Sequence, residues 1–222
     1  MDSENQTQPE QQDSAYFTEI EARVIASLME KQLTTPNNYP LTMNSLMLAC
    51  NQKSNREPVM NLTEGQVGHA VNQLENRDLV GVDYGGRANH ITHRVMTALE
   101  LDRPQQAILT ALMVRKPLTL NDIKNRTNRM VDFADVNEIH DTLKKMMDRE
   151  QPLVLHIPRP AGSREDRYTH LLCGEIDLDS LNLSSKPVAK AVHNDELESL
   201  KNRIEQLETQ VEKLMILLNQ AE

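Results

Sequence analysis

Tryptophan is absent, and four tyrosines and two phenylalanines are all the large aromatic residues among 222 positions. Proteins that grip single strands stack bases on aromatic rings across a sheet face. Only Tyr84 and Tyr168 stand near β-prone runs, so single-stranded or RNA binding is disfavoured. Cysteine is scarcer still. Cys50 and Cys173 lie too far apart to indicate a disulfide framework or a cysteine zinc site, and a reducing, cytoplasmic location is expected. The glycines number seven, and Gly85-Gly86 reads as a hairpin turn rather than a phosphate cradle. No apolar run approaches the roughly 18–20 residues of a membrane span. The opening MDSENQTQPEQQDS is polar and acidic, unlike a signal peptide. With 38 % hydrophobic and 26 % charged residues, the chain is expected to be soluble and globular.

Positive charge is also in deficit, with 24 basic against 33 acidic side chains and a formal charge of −9. The imbalance is uneven. Residues 1–17 carry four acidic side chains, and residues 173–222 hold ten acidic against five basic. Between them, residues 18–100 have seven basic and nine acidic side chains, while 101–172 have twelve and ten. A near-neutral body can still present a basic face, so net charge alone does not exclude nucleic acid.

Residues 1–15 lack hydrophobic periodicity and are expected to form a disordered tail. Thr18 and Glu21 have capping-box spacing ahead of Ile20, Val24, Ile25 and Leu28, which predicts a helix broken by TTPNNYP (34–40). Met43, Leu46, Met47 and Cys50 predict a second helix over 42–50. Thr63 and Gln66 open a third, with Val67, Ala70, Val71 and Leu74 on its apolar face. LVGVDY (79–84) and HITHRVM (90–96) then read as a hairpin.

The order recurs. Ile108, Leu109 and Leu112 repeat Val24, Ile25 and Leu28 at an offset of 84; Ile139, Leu143 and Met146 repeat Val67, Val71 and Leu74 at 72. Leu120 and Ile123 mark the short helix between them, and LVLHI (153–157) with DRYTHLL (166–172) forms a second hairpin. The expected fold class is mainly α with small β-hairpins. It comprises two tandem winged helix-turn-helix domains, over 16–100 and 101–173, and a C-terminal heptad helix. Many winged helices bind protein rather than DNA, so the fold leaves function open.

A linker spans 174–194. From Asp195, Leu197, Leu200, Ile204, Leu207, Val211, Leu214 and Leu218 alternate spacings of three and four residues. Ile204, Val211 and Leu218 at a positions, with Leu at d, favour a two-stranded parallel coil over 195–220 and hence a homodimer. Glu196–Lys201 and Arg203–Glu208 are matched across such a seam. An antiparallel coil, or a helix folded back on its own chain, fits the same pattern.

The stretch EARVIASLMEKQLTTPNNYPLTMNSLMLACNQKSNREPVMNLTEGQV (21–67) closely resembles the YceH-like family of bacterial proteins, and GSREDRYTHLLCGE (162–175) and the acidic heptad helix fit it too. The resemblance implies two winged-helix domains. It supplies no catalytic residue, cofactor or ligand.

Candidate contacts with double-stranded DNA follow from the winged-helix reading. Gln66, His69 and Gln73 lie on the outer face of the third helix, where Gln side chains can pair with adenine. Lys53 and Arg56 occupy the preceding loop, Arg87 and Arg94 the first wing, Lys124, Arg126 and Arg129 the second helix of the second repeat and its following loop, and Arg159, Arg164 and Arg167 the second wing. The third helix of the second repeat offers Asn137, Glu138, His140, Asp141, Lys144 and Lys145, of mixed charge. The loop NQKSNREPVMNL (51–62) is expected chiefly to cap and fix neighbouring helices, with Lys53, Asn55 and Arg56 as its candidate ligand contacts. Cys50 sits on an apolar stripe as a core thiol. The seven histidines show no metalloprotease or zinc spacing, and His90 with His93 is weak as a metal pair. No catalytic constellation, cofactor or metal site is expected. The reading is a regulatory, dimeric DNA-binding protein, with a protein-interaction scaffold as the alternative.

Overall fold

Helix α1 (Glu19–Thr34) starts where expected: Thr18 Oγ1 accepts from the Glu21 N–H, and the Glu21 carboxylate accepts from the Thr18 N–H in return. The computed structural model describes residues 16–86, 88–115, 117–159 and 165–174. The tail 1–15 and the heptad helix 195–220 lie outside the described residues, as does the linker beyond Gly174.

α1 ends at Thr34, where Pro36–Asn38 forms a single 3₁₀ turn. The chain continues through β1 (Leu41–Thr42), α2 (Met43–Cys50), α3 (Glu64–Asn76), β2 (Val80–Asp83) and β3 (His90–His93). β3 lies between β1 and β2, antiparallel to both, with Ile91 opposite Leu41 and Val82. The sequence reading lacked the short β1 edge. It also carried the β3 run too far, because Val95–Ala98 turns into a short helix, α4.

The second half supplies α5 (Arg103–Met113), α6 (Leu120–Thr127), α7 (Val136–Met147), β4 (Val154–Ile157) and β5 (Arg167–His170), with β4 and β5 paired antiparallel. The repeat predicted from offsets is visible in burial. Val24, Ile25 and Leu28 are buried in α1, as are Ile108, Leu109 and Leu112 in α5; Val67, Val71 and Leu74 in α3 match Ile139, Leu143 and Met146 in α7.

An amphipathic helix at a surface buries one stripe. α1 instead buries every residue from Glu21 to Glu30, and α5 every residue from Gln105 to Met113. The two helices pack on each other between the remaining helices, so the halves share one continuous core among the described residues. Backbone bonds tie the halves together as well: Phe17 N–H to Leu172 O at 2.7 Å and Glu57 N–H to Val114 O at 2.8 Å.

Candidate functional site

The loop after α2 is built inward. Asn51 braces it, donating from Nδ2 to Leu62 O at 2.8 Å and accepting the Leu62 N–H at 2.7 Å. Arg23 reaches from α1 to Cys50 O and Pro58 O. Arg56 corrects the sequence reading: its side chain is fully buried and gripped by both carboxylate oxygens of Glu30, at 3.2 and 2.5 Å, while also donating to Ala49 O. A guanidinium so enclosed cannot reach a phosphate. Lys53, on the same loop, is exposed.

The other first-half candidates are partly spent. Gln66 is exposed, but its Oε1 accepts from Thr63 N–H and Oγ1 in a capping box, so only its amide N–H groups are free to read a base. His69 and Gln73 stay exposed, yet Gln66, His69 and Gln73 line a groove of about 770 Å³ whose opposite wall carries Glu19 and Glu21. Arg94 is ion-paired with Asp78, and Arg77 with Glu21. Arg87 and Arg164 lie outside the described residues.

The second half differs. Lys124 donates to Ala134 O, Arg126 to the Asn55 Oδ1 and Arg167 to Pro117 O, all neutral oxygens; the Lys124 charge also acts on the Asp135 carboxyl. Arg126, Arg129, Arg159 and Arg167 are exposed, and Lys144 and Lys145 are exposed on α7. Asp166 accepts the Arg159 N–H at 3.1 Å and meets His156 Nε2 at 3.0 Å; these bonds hold its carboxyl below the usual range.

Arg115 was missing from the expected contacts. It follows α5 and donates from Nη2 to Asn55 Oδ1 at 2.8 Å, the same oxygen that Arg126 approaches. A basic pair, Arg115-Lys116, directly after an apolar helix was the only local signal for it.

Enzyme-like groups are muted. Burial pushes the Cys50 thiol up, and pushes Cys173 up to about 11, so neither provides a thiolate near neutral pH. Burial lowers His93 and His170 to about 4, keeping both neutral. His93 is buried against Gln32 rather than offered beside His90. Among the described residues no three His, Cys, Asp or Glu side chains converge on a common metal position. No described helix is long and apolar enough to cross a membrane.

Residues 17–163 match the family described as protein of unknown function, DUF480. The chain belongs to the DUF480 family. It is similar to a UPF0502 protein of Cellvibrio japonicus, 45 % identical over 207 residues, covering 90 % of this chain and 94 % of that one. It is also similar to a UPF0502 protein of Pseudomonas aeruginosa strain LESB58, 50 % identical over 161 residues and 72 % of each chain. The expected YceH-like membership agrees with both findings. The DUF480 match runs from the start of α1 past β4 and stops short of β5, so the repeated helices belong to the family's shared region.

Proposed function

We propose that this DUF480 protein is a non-enzymatic, cytoplasmic regulator with two winged-helix repeats, which contacts double-stranded DNA chiefly through its second half. What supports the reading is the order of three helices and a hairpin in each half, together with one electrostatic contrast. Arg56, Arg77 and Arg94 of the first half are held by carboxylates, whereas Lys124, Arg126 and Arg167 are held by neutral oxygens. A cation hydrogen-bonded to a neutral oxygen has more of its charge to offer a duplex phosphate than one ion-paired with a carboxylate. α7 would face the major groove, with Arg129 on a phosphate and Lys53 peripheral.

A labelled mixed-sequence duplex titrated at low and near-physiological salt tests this, with single-stranded DNA beside it. Lys124→Glu and Arg129→Glu should each weaken duplex binding and lower the salt slope by about one. Unchanged affinity in both variants removes the footprint, and no duplex binding at low salt removes the DNA reading.

One observation favours a protein partner instead: the groove between α1 and α3, where Ile20, Gly65 and Ala70 lie beside Glu19 and Glu21. Such a surface suits a basic, partly apolar segment better than a phosphate backbone. We also propose a homodimer through Leu197, Leu200, Ile204, Leu207, Val211, Leu214 and Leu218, on the heptad spacing alone. Truncation after residue 192 should halve the solution mass; an unchanged mass removes the claim.

A further inference from the structure

Three arginines from separate elements line one cleft beside the first-half loop. Arg115 follows α5, Arg126 lies in the last turn of α6 and Arg167 opens β5; with Asn55 they line a cleft of about 390 Å³. Asn55 holds a left-handed backbone, φ 62°, and its Oδ1 is shared by Arg115 Nη2 and Arg126 Nη1 at 2.8 and 3.4 Å. One neutral oxygen is thus the meeting point of two cations. Arg115 Nη1 is buried with no hydrogen-bond partner. Burial first, then the charges of Arg126 and Arg56, disfavour the Arg115 cation, with Glu30 and Glu57 acting in the opposite sense. Glu57 and Asp122 also line the cleft, but an Asp122 oxygen is taken up by the Thr119 N–H and hydroxyl.

We propose that this cleft binds the phosphate group of a small phosphorylated molecule. A tetrahedral phosphate presents oxygens in several directions and can engage arginines carried by three separate elements, whereas a carboxylate presents two in one plane. The bound anion relieves the repulsion between Arg115 and Arg126, which share one neutral oxygen. The cleft of about 390 Å³ has room for a phosphate together with a small body attached to it. Because the cleft is walled by both halves, its occupancy stabilises their packing, as an effector would. The proposal goes beyond DNA contact: it needs one enclosed phosphate, not a row of them.

The test uses the full chain without DNA. Inorganic phosphate and glycerol 3-phosphate are titrated by calorimetry and thermal unfolding, against acetate and chloride at matched ionic strength. Saturable binding of either phosphate compound and a raised midpoint are expected. Arg126→Gln and Arg167→Gln, both at exposed positions, should each weaken it about tenfold while circular dichroism stays unchanged. Lys124→Gln and Arg129→Gln, outside the cleft, should leave it intact. No saturable binding, equal binding of acetate, or indifference to both cleft variants would overturn the proposal. Phosphate binding without duplex binding sinks only the DNA reading; duplex binding without phosphate binding sinks only this one.

Discussion

Arg56 and His93 show how a polar side chain behaves once the fold encloses it. Removing Arg56 leaves Glu30 buried without its counter-charge, a change that typically costs about 3–5 kcal/mol. Arg56→Ala should therefore lower stability strongly in urea unfolding, and the Glu30→Gln/Arg56→Met double variant should recover part of the loss. A near-neutral effect of Arg56→Ala would show that the pair is solvated. His93 donates from Nε2 to Gln32 Oε1 at 2.8 Å, which leaves its buried Nδ1 as a bare acceptor. A proton added there has no partner, and burial lowers its pKa from 6.5 to about 4. The unfolded chain takes up that proton below 6.5, so the stability tied to neutral His93 is complete above that value. It declines as pH falls from 6.5 to about 4, and the decline between pH 7 and 5 is about 2 kcal/mol. His170 acts in the same direction. His93→Gln should flatten the pH dependence of unfolding by about that amount, measured in urea at pH 7 and 5.

At the scale of elements, the chain announces its helix starts. Thr18, Thr63, Asp102 and Thr119 each accept a backbone N–H from three residues on, and each donates its own N–H to the side chain there, which completes a capping box. These contacts span three residues, which is why spacing alone located the caps at Thr18 and Thr63. Thr63→Ala should destabilise the protein by about 1 kcal/mol in urea or thermal unfolding. Gln66 Oε1 keeps its bond from the backbone N–H of residue 63 in this variant, so Gln66 stays held. β1 was less legible: two residues carry no periodicity, and only pairing with β3 makes Leu41–Thr42 a strand. The end of the HITHRVM run misled for a related reason, since β-branched residues favour strands until tertiary packing favours a helical turn at Val95.

For the whole molecule, the repeat was readable but its packing was not. Helices buried on all sides, α1 and α5, join the halves through one core, so residues 16–174 should unfold in a single transition. Ellipticity and tyrosine fluorescence followed through urea should coincide; two separated steps would mean that each half stands alone. The same packing decided the candidate site. Arg56 meets Glu30 across 26 positions, Arg115 meets Asn55 across 60, and Arg126 meets Asn55 across 71. Periodicity and capping are local, carried by neighbours three and four apart, and from them the sequence by itself determined the longer helices, the hairpins, the buried stripes and the repeat. Whether a given arginine ends against a carboxylate, against a carbonyl or in an open cleft depends on partners far along the chain. Only the tertiary structure decided that, because charge compensation acts through space.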